Sequence, residues 1–413
     1  DKTYLLLLRM KIIATSDWHI GNMFHGNDRL PEHRHFLVWL LRRIEEQKPD
    51  ALLVGGDGFD NGNPSANAQT AYYEFLADAT RICPEMTIVI TAGNHDSANR
   101  LEAPRPLLSR YNIEVRGRVT GNLDDLIVPV RNKHGEEVVV LAVPYLRNDM
   151  MMGREYSEGV NIFMKELTAR ARELHEGKKV IMMAHLYAKG ADIAKNDASE
   201  KIIIGGQEEV NMEGWSDHPD YMTCGHIHKR QHIWNTNWAR YTGSILPMSF
   251  AEVDYKHGVD LITINDKINV DFMEYTPQHR LRILPEGDVQ MKPSEVKKLI
   301  KRELRDRNDE GTLSDSFDYV TLNVVLDKVD NDVICELEEA VKAKDAVLCK
   351  IQKILPTLDL ATIANSEAIT TIDDITNRNP MDTLKEAFAI KHGKEMSEHQ
   401  EELMAGIIKD ILP

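Results

Sequence analysis

Residues 11–19 read KIIATSDWH, residues 51–60 read ALLVGGDGFD, and residues 87–96 read TIVITAGNHD. Each segment opens with a short apolar run and ends in a loop of Gly, Asp, Asn or His. Three later segments, VVVLAVPY (138–145), KVIMMAH (179–185) and YMTCGH (221–226), repeat the plan. Between them lie stretches with helical spacing, such as Glu32–Gln47, where Phe36, Leu37, Leu40, Leu41 and Ile44 recur. Strands that are apolar throughout and separated by helices predict a sheet buried on both faces. The fold class is α/β, with a layered domain over residues 10–278. From Gly258 two closely spaced strands, GVDLITIN and KINVDFMEY, predict a second sheet that closes this domain.

Residues 279–354 alternate strand (LRILP), helix (Ser294–Arg307), strand (319–326), helix (Asn331–Ala343) and strand (346–354), which predicts a small α+β domain. Its first helix gathers Lys297, Lys298, Lys301, Arg302, Arg305 and Arg307 against Glu295, Glu303 and Asp306. A solvated face laced with ion pairs is the expected reading, and a nucleic-acid contact is the alternative. Residues 355–379 are rich in Thr, Asn and Asp and read as a linker. Helices at about Met381–Ala389 and Ser397–Leu412 follow, within residues 380–413. The second shows Leu403, Ile407, Ile408 and Leu412 on one stripe, suited to docking on its own domain or on a partner.

The 413 residues suffice for two or three domains. Their 42% hydrophobic and 28% charged content excludes wholesale disorder and fibrous designs. Four cysteines without CxxC spacing are expected to be reduced thiols in a cytosolic protein. Leu5 to Leu8 are too few for a membrane span, so no membrane partner is expected. Met10 reads as the natural start, with residues 1–9 an extraneous remnant. The net charge of −16 speaks against coating nucleic acid by bulk charge. Half of that excess lies in residues 276–413, with 27 acidic and 19 basic side chains, away from the strand-end loops.

Those loops carry the chemistry. The first holds Asp17 and His19, the second Asp57 and Asp60, and the third Asn94, His95 and Asp96. The fourth holds His185, and the fifth His226 and His228. A lone Asp or His at a strand end is usually a cap. Five such loops in succession, at the strand ends where α/β sites assemble, point to a metal centre. Carboxylate, imidazole and amide donors without thiolate suit Mn or Fe, with Zn possible. Seven candidate ligands exceed the needs of one tetrahedral ion. Two divalent ions sharing a carboxylate, about 3.5–4 Å apart, account for the number and are a recurrent device of phosphate-ester hydrolysis.

DxH, GDxxD, GNHD, a later His and GHxH together resemble the calcineurin-like metallophosphoesterase signature, spanning Asp17 to His228. GDGFDNGNPSANAQ, AGNHDS, PYLR (144–147) and GHIHKRQHI followed by YTGSILPMSF are similar to the SbcD-type bacterial nucleases. The resemblance implies a metallophosphoesterase β-sandwich flanked by helices, and two ions, most readily Mn²⁺. One ion would take Asp17, His19, Asp57 and His228. The other would take Asp57, Asn94, His185 and His226. His95 would protonate the leaving oxygen, with Asp96 orienting it. Asp60 would be catalytic or a turn-stabilising side chain. Residues 279–354 would be a DNA-binding capping domain, and residues 380–413 would dock on an SbcC-like SMC-family ATPase. Ala66–Ala79 and Arg100–Arg110 fall where relatives form homodimers, with YYEFL (72–76) offering aromatic surface.

The implied activity is a Mn-dependent DNA nuclease of DNA repair and recombination, cytoplasmic and nucleoid-associated. It would act 3′-to-5′ on double-strand ends and endonucleolytically on single strands and hairpins. A phosphomonoesterase of the same superfamily is one rival. Such enzymes carry an Arg that clamps a terminal phosphate, and Asn61 stands at that position here. An inactive DNA-tethering scaffold is the other.

Overall fold

The computed structural model describes residues 10–151, 153–194, 209–287, 289, 291–326 and 331–354, with 385, 396, 397, 400 and 401. Residues 1–9, the expected linker and nearly all of the expected carboxyl-terminal helices lie outside them. Contacts divide the chain into a compact unit ending at Ile354 and a second unit, residues 355–413.

The first unit is built on two six-stranded sheets. Along the chain run β1 (Met10–Thr15), α1 (Leu30–Gln47), β2 (Ala51–Gly55), α2 (Ala66–Ile82), β3 (Thr87–Thr91) and β4 (Ile113–Arg116). Then follow β5 (Ile127–Arg131), β6 (Glu137–Ala142), α3 (Tyr156–Leu174), β7 (Lys179–His185), β8 (Tyr221–Gly225), β9 (Gln231–His232) and β10 (Ala239–Tyr241). The layered part ends with β11 (His257–Ile264) and β12 (Ile268–Tyr275). One sheet has the order β12-β11-β1-β2-β3-β4, and the other β9-β10-β8-β7-β6-β5. β1 to β4 are mutually parallel, as are β6, β7, β8 and β10.

The closing hairpin differs from expectation. β11 pairs antiparallel with β1, from Met10 opposite Ile264 to Ala14 opposite Asp260, and β12 pairs with β11. The hairpin therefore extends the first sheet, because β1 has a free edge once β2 occupies its other side. The second sheet comes from residues 127–241 instead.

Alternation places successive side chains on opposite faces. Ile12, Leu53, Val89, Val140, Ile181 and Met183 meet between the sheets. Ile13, Leu52 and Ile88 face α1 and α2, while Leu141, Val180 and Met182 face α3. Both faces are buried, which is why these strands read as continuous apolar runs. Each such side chain contributes about 1.5–3 kcal/mol on burial. Tyr72, Phe75 and Leu76 of α2 belong to this core, with Trp18 edge-on to Tyr72 and Phe75. The aromatic surface expected of YYEFL is thus largely interior, because these side chains face the sheet. The helix expected over 100–110 is two short ones, Ala98–Glu102 and Arg105–Leu108.

The small domain follows its predicted order as β13 (Leu281–Leu284), α4 (Pro293–Glu303), β14 (Asp318–Val325), α5 (Asn331–Lys342) and β15 (Ala346–Ile354), forming a parallel three-stranded sheet. An ion pair joins Lys297 to Glu336, consistent with a solvated helix face, whereas α4 ends short of the expected Arg307 and Arg305, past its end, pairs with buried Asp345. The face of this sheet opposite α4 and α5 packs on the larger body. Leu281 and Tyr319 cluster with Phe24 of a short hairpin, and the Tyr319 hydroxyl donates to Glu32 at 3.4 Å. Glu32 is in turn held by buried Arg29.

Candidate metal centre

The candidate residues stand at the ends or just past the ends of β1, β2, β3, β7 and β8. Backbone bonds weld the loops together. Asp17 N–H donates to the Gly56 carbonyl at 3.1 Å, and His19 N–H to the Asp57 carbonyl at 2.9 Å. His226 N–H donates to Asp17 Oδ1 at 3.0 Å, which ties the second sheet's loop to the first. Asp17, His19, Asp57 and His226 all sit at positive φ, between 46° and 97°. Such backbone costs about 1–3 kcal/mol per residue and persists where the surroundings over-determine it. Four strained residues in one cluster mark a place shaped for chemistry rather than stability.

Two glycines make room. A Cβ on Gly93 would lie 2.1 Å from Asp57 Oδ1, and one on Gly56, at φ +89°, would lie 2.4 Å from His185 Nδ1.

Into that space converge two carboxylates, four imidazoles and an amide. Asp57 Oδ2 is 3.3 Å from His185 Nε2 and 3.8 Å from His19 Nε2. The Asn94 Oδ1 oxygen is 2.9 Å from His185 Nε2 and 3.0 Å from His226 Nδ1. Asp17, His19 and His228 bring ligand atoms within 4.8 Å of one another, as do Asp17, Asp57 and His185. The third such group is His19, Asp57 and His95, so His95 stands beside the ligand atoms as well. Asp17, His19, Asp57, His185 and His228 are all buried.

Burial opposes ionisation throughout the nest, and mutual contacts decide where charge settles. Burial would raise the Asp57 carboxyl, but His185, with His19 behind it, outweighs that and holds it below the carboxylate range. Burial would lower His185, but Asp57 carries it up to about 9. Burial raises Asp17 and lowers His19, and it takes His226 down to about 3. His19 Nε2 is buried without a hydrogen-bond partner among the described residues. Such an unpartnered ring nitrogen beside the Asp57 carboxylate, where further carboxylate, imidazole and amide donors converge, fits a divalent cation.

His95 and Asp96 have different partners from those expected. His95 Nδ1 lies 2.8 Å from the Asp60 carbonyl oxygen, which can only accept, so the proton is on Nδ1. The Asp96 carboxylate instead accepts three backbone N–H groups, from Gly93 at 3.0 Å, Phe59 at 3.0 Å and Gly58 at 3.2 Å. Successive bends at 94–96 leave Asp96 joined to the backbone of the second and third loops and His95 to the Asp60 carbonyl. Burial, with Asp57 adding to it, pushes Asp96 up to about 6 against those three bonds. The Asp60 side chain accepts from Asn22 at 2.9 Å and lies 3.7 Å from His19.

Several supporting residues escaped the motif reading. The Ser16 hydroxyl donates to Asp17 Oδ2 at 2.5 Å and lies 2.6 Å from the Thr242 hydroxyl. Glu252 contacts the Nδ1 of His228 at 2.9 Å. YTGSILPMSF, quoted for its resemblance, ends two residues short of Glu252.

Comparison with known proteins agrees with this geometry. The sequence pattern of the calcineurin-like phosphoesterase family matches residues 10–230. The chain is similar to the SbcD component of the SbcCD nuclease of Rhodobacter capsulatus, 36% identical over 271 residues covering 62% of this chain and 66% of that protein. It is also similar to the SbcD components from Escherichia coli K12, 30% identical over 270 residues (62% and 66% covered), and Bacillus subtilis, 30% over 266 residues (61% and 66%). The matches thus span just under two thirds of these relatives. With the family pattern running through the loops that hold every candidate ligand, the chain belongs to the calcineurin-like phosphoesterase family.

Proposed function

We propose that the chain is the nuclease component of an SbcC–SbcD-like complex, hydrolysing DNA phosphodiesters with two divalent ions, most readily Mn²⁺. The observation that carries this is the place of Asp57 Oδ2 between His19 and His185, one from each expected ligand set. Asp17, His19, Asp57 and His228 would hold one ion, and Asp57, Asn94, His185 and His226 the other. When bound, the ions supply charge to clamp phosphate oxygens and to acidify water. The chain's own part is geometric and protonic. With its proton fixed on Nδ1 by the Asp60 carbonyl, His95 presents Nε2 as its exchangeable atom. As water oxygen bonds to phosphorus and the P–O bond to the leaving group breaks, a protonated Nε2 gives its proton to that leaving oxygen. The water's proton passes to solvent.

A diester is favoured over a monoester because Asn61 offers no guanidinium to a terminal phosphate. Duplex ends cut 3′-to-5′, hairpins and single strands cut internally, homodimerisation, and a role in DNA repair complete the reading. It is supported by similarity to proteins named as nuclease components. No helix of the described residues is long and apolar enough to cross a membrane. The test is release of nucleotides from end-labelled duplex and hairpin DNA, beside p-nitrophenyl phosphate, with Mn²⁺, Mg²⁺ or chelator. Metal-dependent DNA cleavage lost in His95→Ala and Asp57→Ala is expected. Robust monoester turnover without DNA cleavage favours a phosphatase, and no turnover of either substrate favours a scaffold. Deleting residues 380–413 should abolish ATPase binding and leave cleavage intact.

A further inference from the structure

Glu252 ends a single 3-10 turn, Phe250–Glu252, and its side chain is wholly buried. One carboxylate oxygen meets His228 Nδ1 at 2.9 Å, and the other accepts the Met248 N–H at 2.8 Å. The turn is fixed from two further sides. The Ser249 hydroxyl accepts the Ala251 N–H at 3.2 Å, and Phe250 packs on Phe24 with ring centroids 5.3 Å apart. A carboxylate held at its other oxygen by backbone, on a turn fixed by Ser249 and Phe250, sets the position of the imidazole that meets it. An acceptor at Nδ1 keeps the proton there and leaves the Nε2 lone pair for a cation. The imidazoles of the other ligand set have other neighbours: His185 Nδ1 meets the Gly55 carbonyl at 2.9 Å, and His226 Nδ1 lies 3.0 Å from its fellow candidate ligand Asn94.

We infer that Glu252 is a positioning residue for one ion of the pair, the one held by Asp17, His19, Asp57 and His228. It fixes the tautomer and tilt of the His228 ring and adds negative charge behind it. Its effect is confined to that ion, because it acts through His228, whereas His185 is oriented by the Gly55 carbonyl and the side-chain partner of His226 is Asn94. The inference rests on the two-ion reading.

The test is calorimetric titration of the metal-free full chain with Mn²⁺, comparing wild type, Glu252→Gln and Glu252→Ala, with thermal unfolding of each metal-free protein as a second readout. Outer carboxylates of this kind are worth about 10–100-fold in metal affinity. Glu252→Ala should weaken one ion by that factor and leave the other within about twofold. Glu252→Gln, which keeps an acceptor without the charge, should fall between. If the alanine variant does not fold, the isosteric glutamine variant carries the same comparison. Two ions bound with wild-type affinity in the variants, or equal weakening of both ions, overturns the inference alone. Fewer than two ions bound by the wild type overturns the two-ion reading, and this inference with it.

Discussion

Asp96 offers a sharp test of the architecture, because removing its carboxylate and merely neutralising it should have opposite severity. Its two oxygens accept N–H groups from Gly58, Phe59 and Gly93, the backbone just after Asp57 and just before Asn94. Asp96→Ala strands three buried donors at about 1–3 kcal/mol each. Water entering the vacated space and loss of the penalty on the buried charge would recover part, so the expected loss is about 1–5 kcal/mol, or roughly 2–10 °C in the melting temperature of the metal-free protein. Asp96→Asn keeps one acceptor oxygen and also relieves strain. The wild-type carboxyl is pushed from 3.8 up to about 6 by burial and by Asp57. That gap corresponds to about 3 kcal/mol of penalty on the ionised form at neutral pH. Both substitutions remove that penalty, so they differ in the donors they strand, three for alanine and one for asparagine, and the asparagine variant should melt several degrees above the alanine variant and within a few degrees of wild type. Differential scanning calorimetry at pH 7.5 reads both, beside DNA cleavage rates. An alanine variant that melts within about 1 °C of wild type yet loses activity a hundredfold would refute the staple and restore Asp96 as a partner of His95.

Other perturbations reach different parts of the structure. Burial lowers His33 and His257 from 6.5 to about 4, so both must be neutral in the fold. Their contribution is present above pH 6.5 and lost as pH falls toward 4, up to about 3 kcal/mol each. The melting temperature should drop between pH 6.5 and 4.5, less so in His33→Gln, and equal pH slopes for both proteins would contradict this. Gly56→Ala places a Cβ 2.4 Å from His185 Nδ1 in a left-handed backbone. It should weaken the ion at Asn94, His185 and His226 at least tenfold by calorimetry, a loss of about 1.4 kcal/mol, and an unchanged isotherm would show the loop yields freely.

The sequence told most about parts where one residue does one thing. Ile12 and Ile13 are both apolar because one faces the opposite sheet and the other faces helices, so the run announces double burial. Asp17, His19, Asp57, Asn94, His185, His226 and His228 were legible because each ends a strand or follows one, and the fold gathers strand ends. Pairing is less legible. Nothing in GVDLITIN states that its partner is β1, some 250 residues earlier, since antiparallel partners are chosen by a free edge and not by local pattern. The role the resemblance implied for Asp96 is also not the one seen: its carboxylate accepts backbone N–H groups of Gly58, Phe59 and Gly93 rather than orienting His95. Tyr72 and Phe75 of YYEFL are expected at a surface, which spacing alone does not distinguish from core, and the direction of α2 puts them in the core. Glu252 was invisible because it lies 24 residues past His228 in a stretch without periodicity.

The central claim is a pair of cations bridged by Asp57. Anomalous diffraction from crystals grown with Mn²⁺ measures it most directly. The account predicts two peaks about 3.5–4 Å apart. Asp57 should lie between them, with His19 and His228 on one and Asn94, His185 and His226 on the other. A single peak, or two peaks with Asp57 bound to neither, would contradict it.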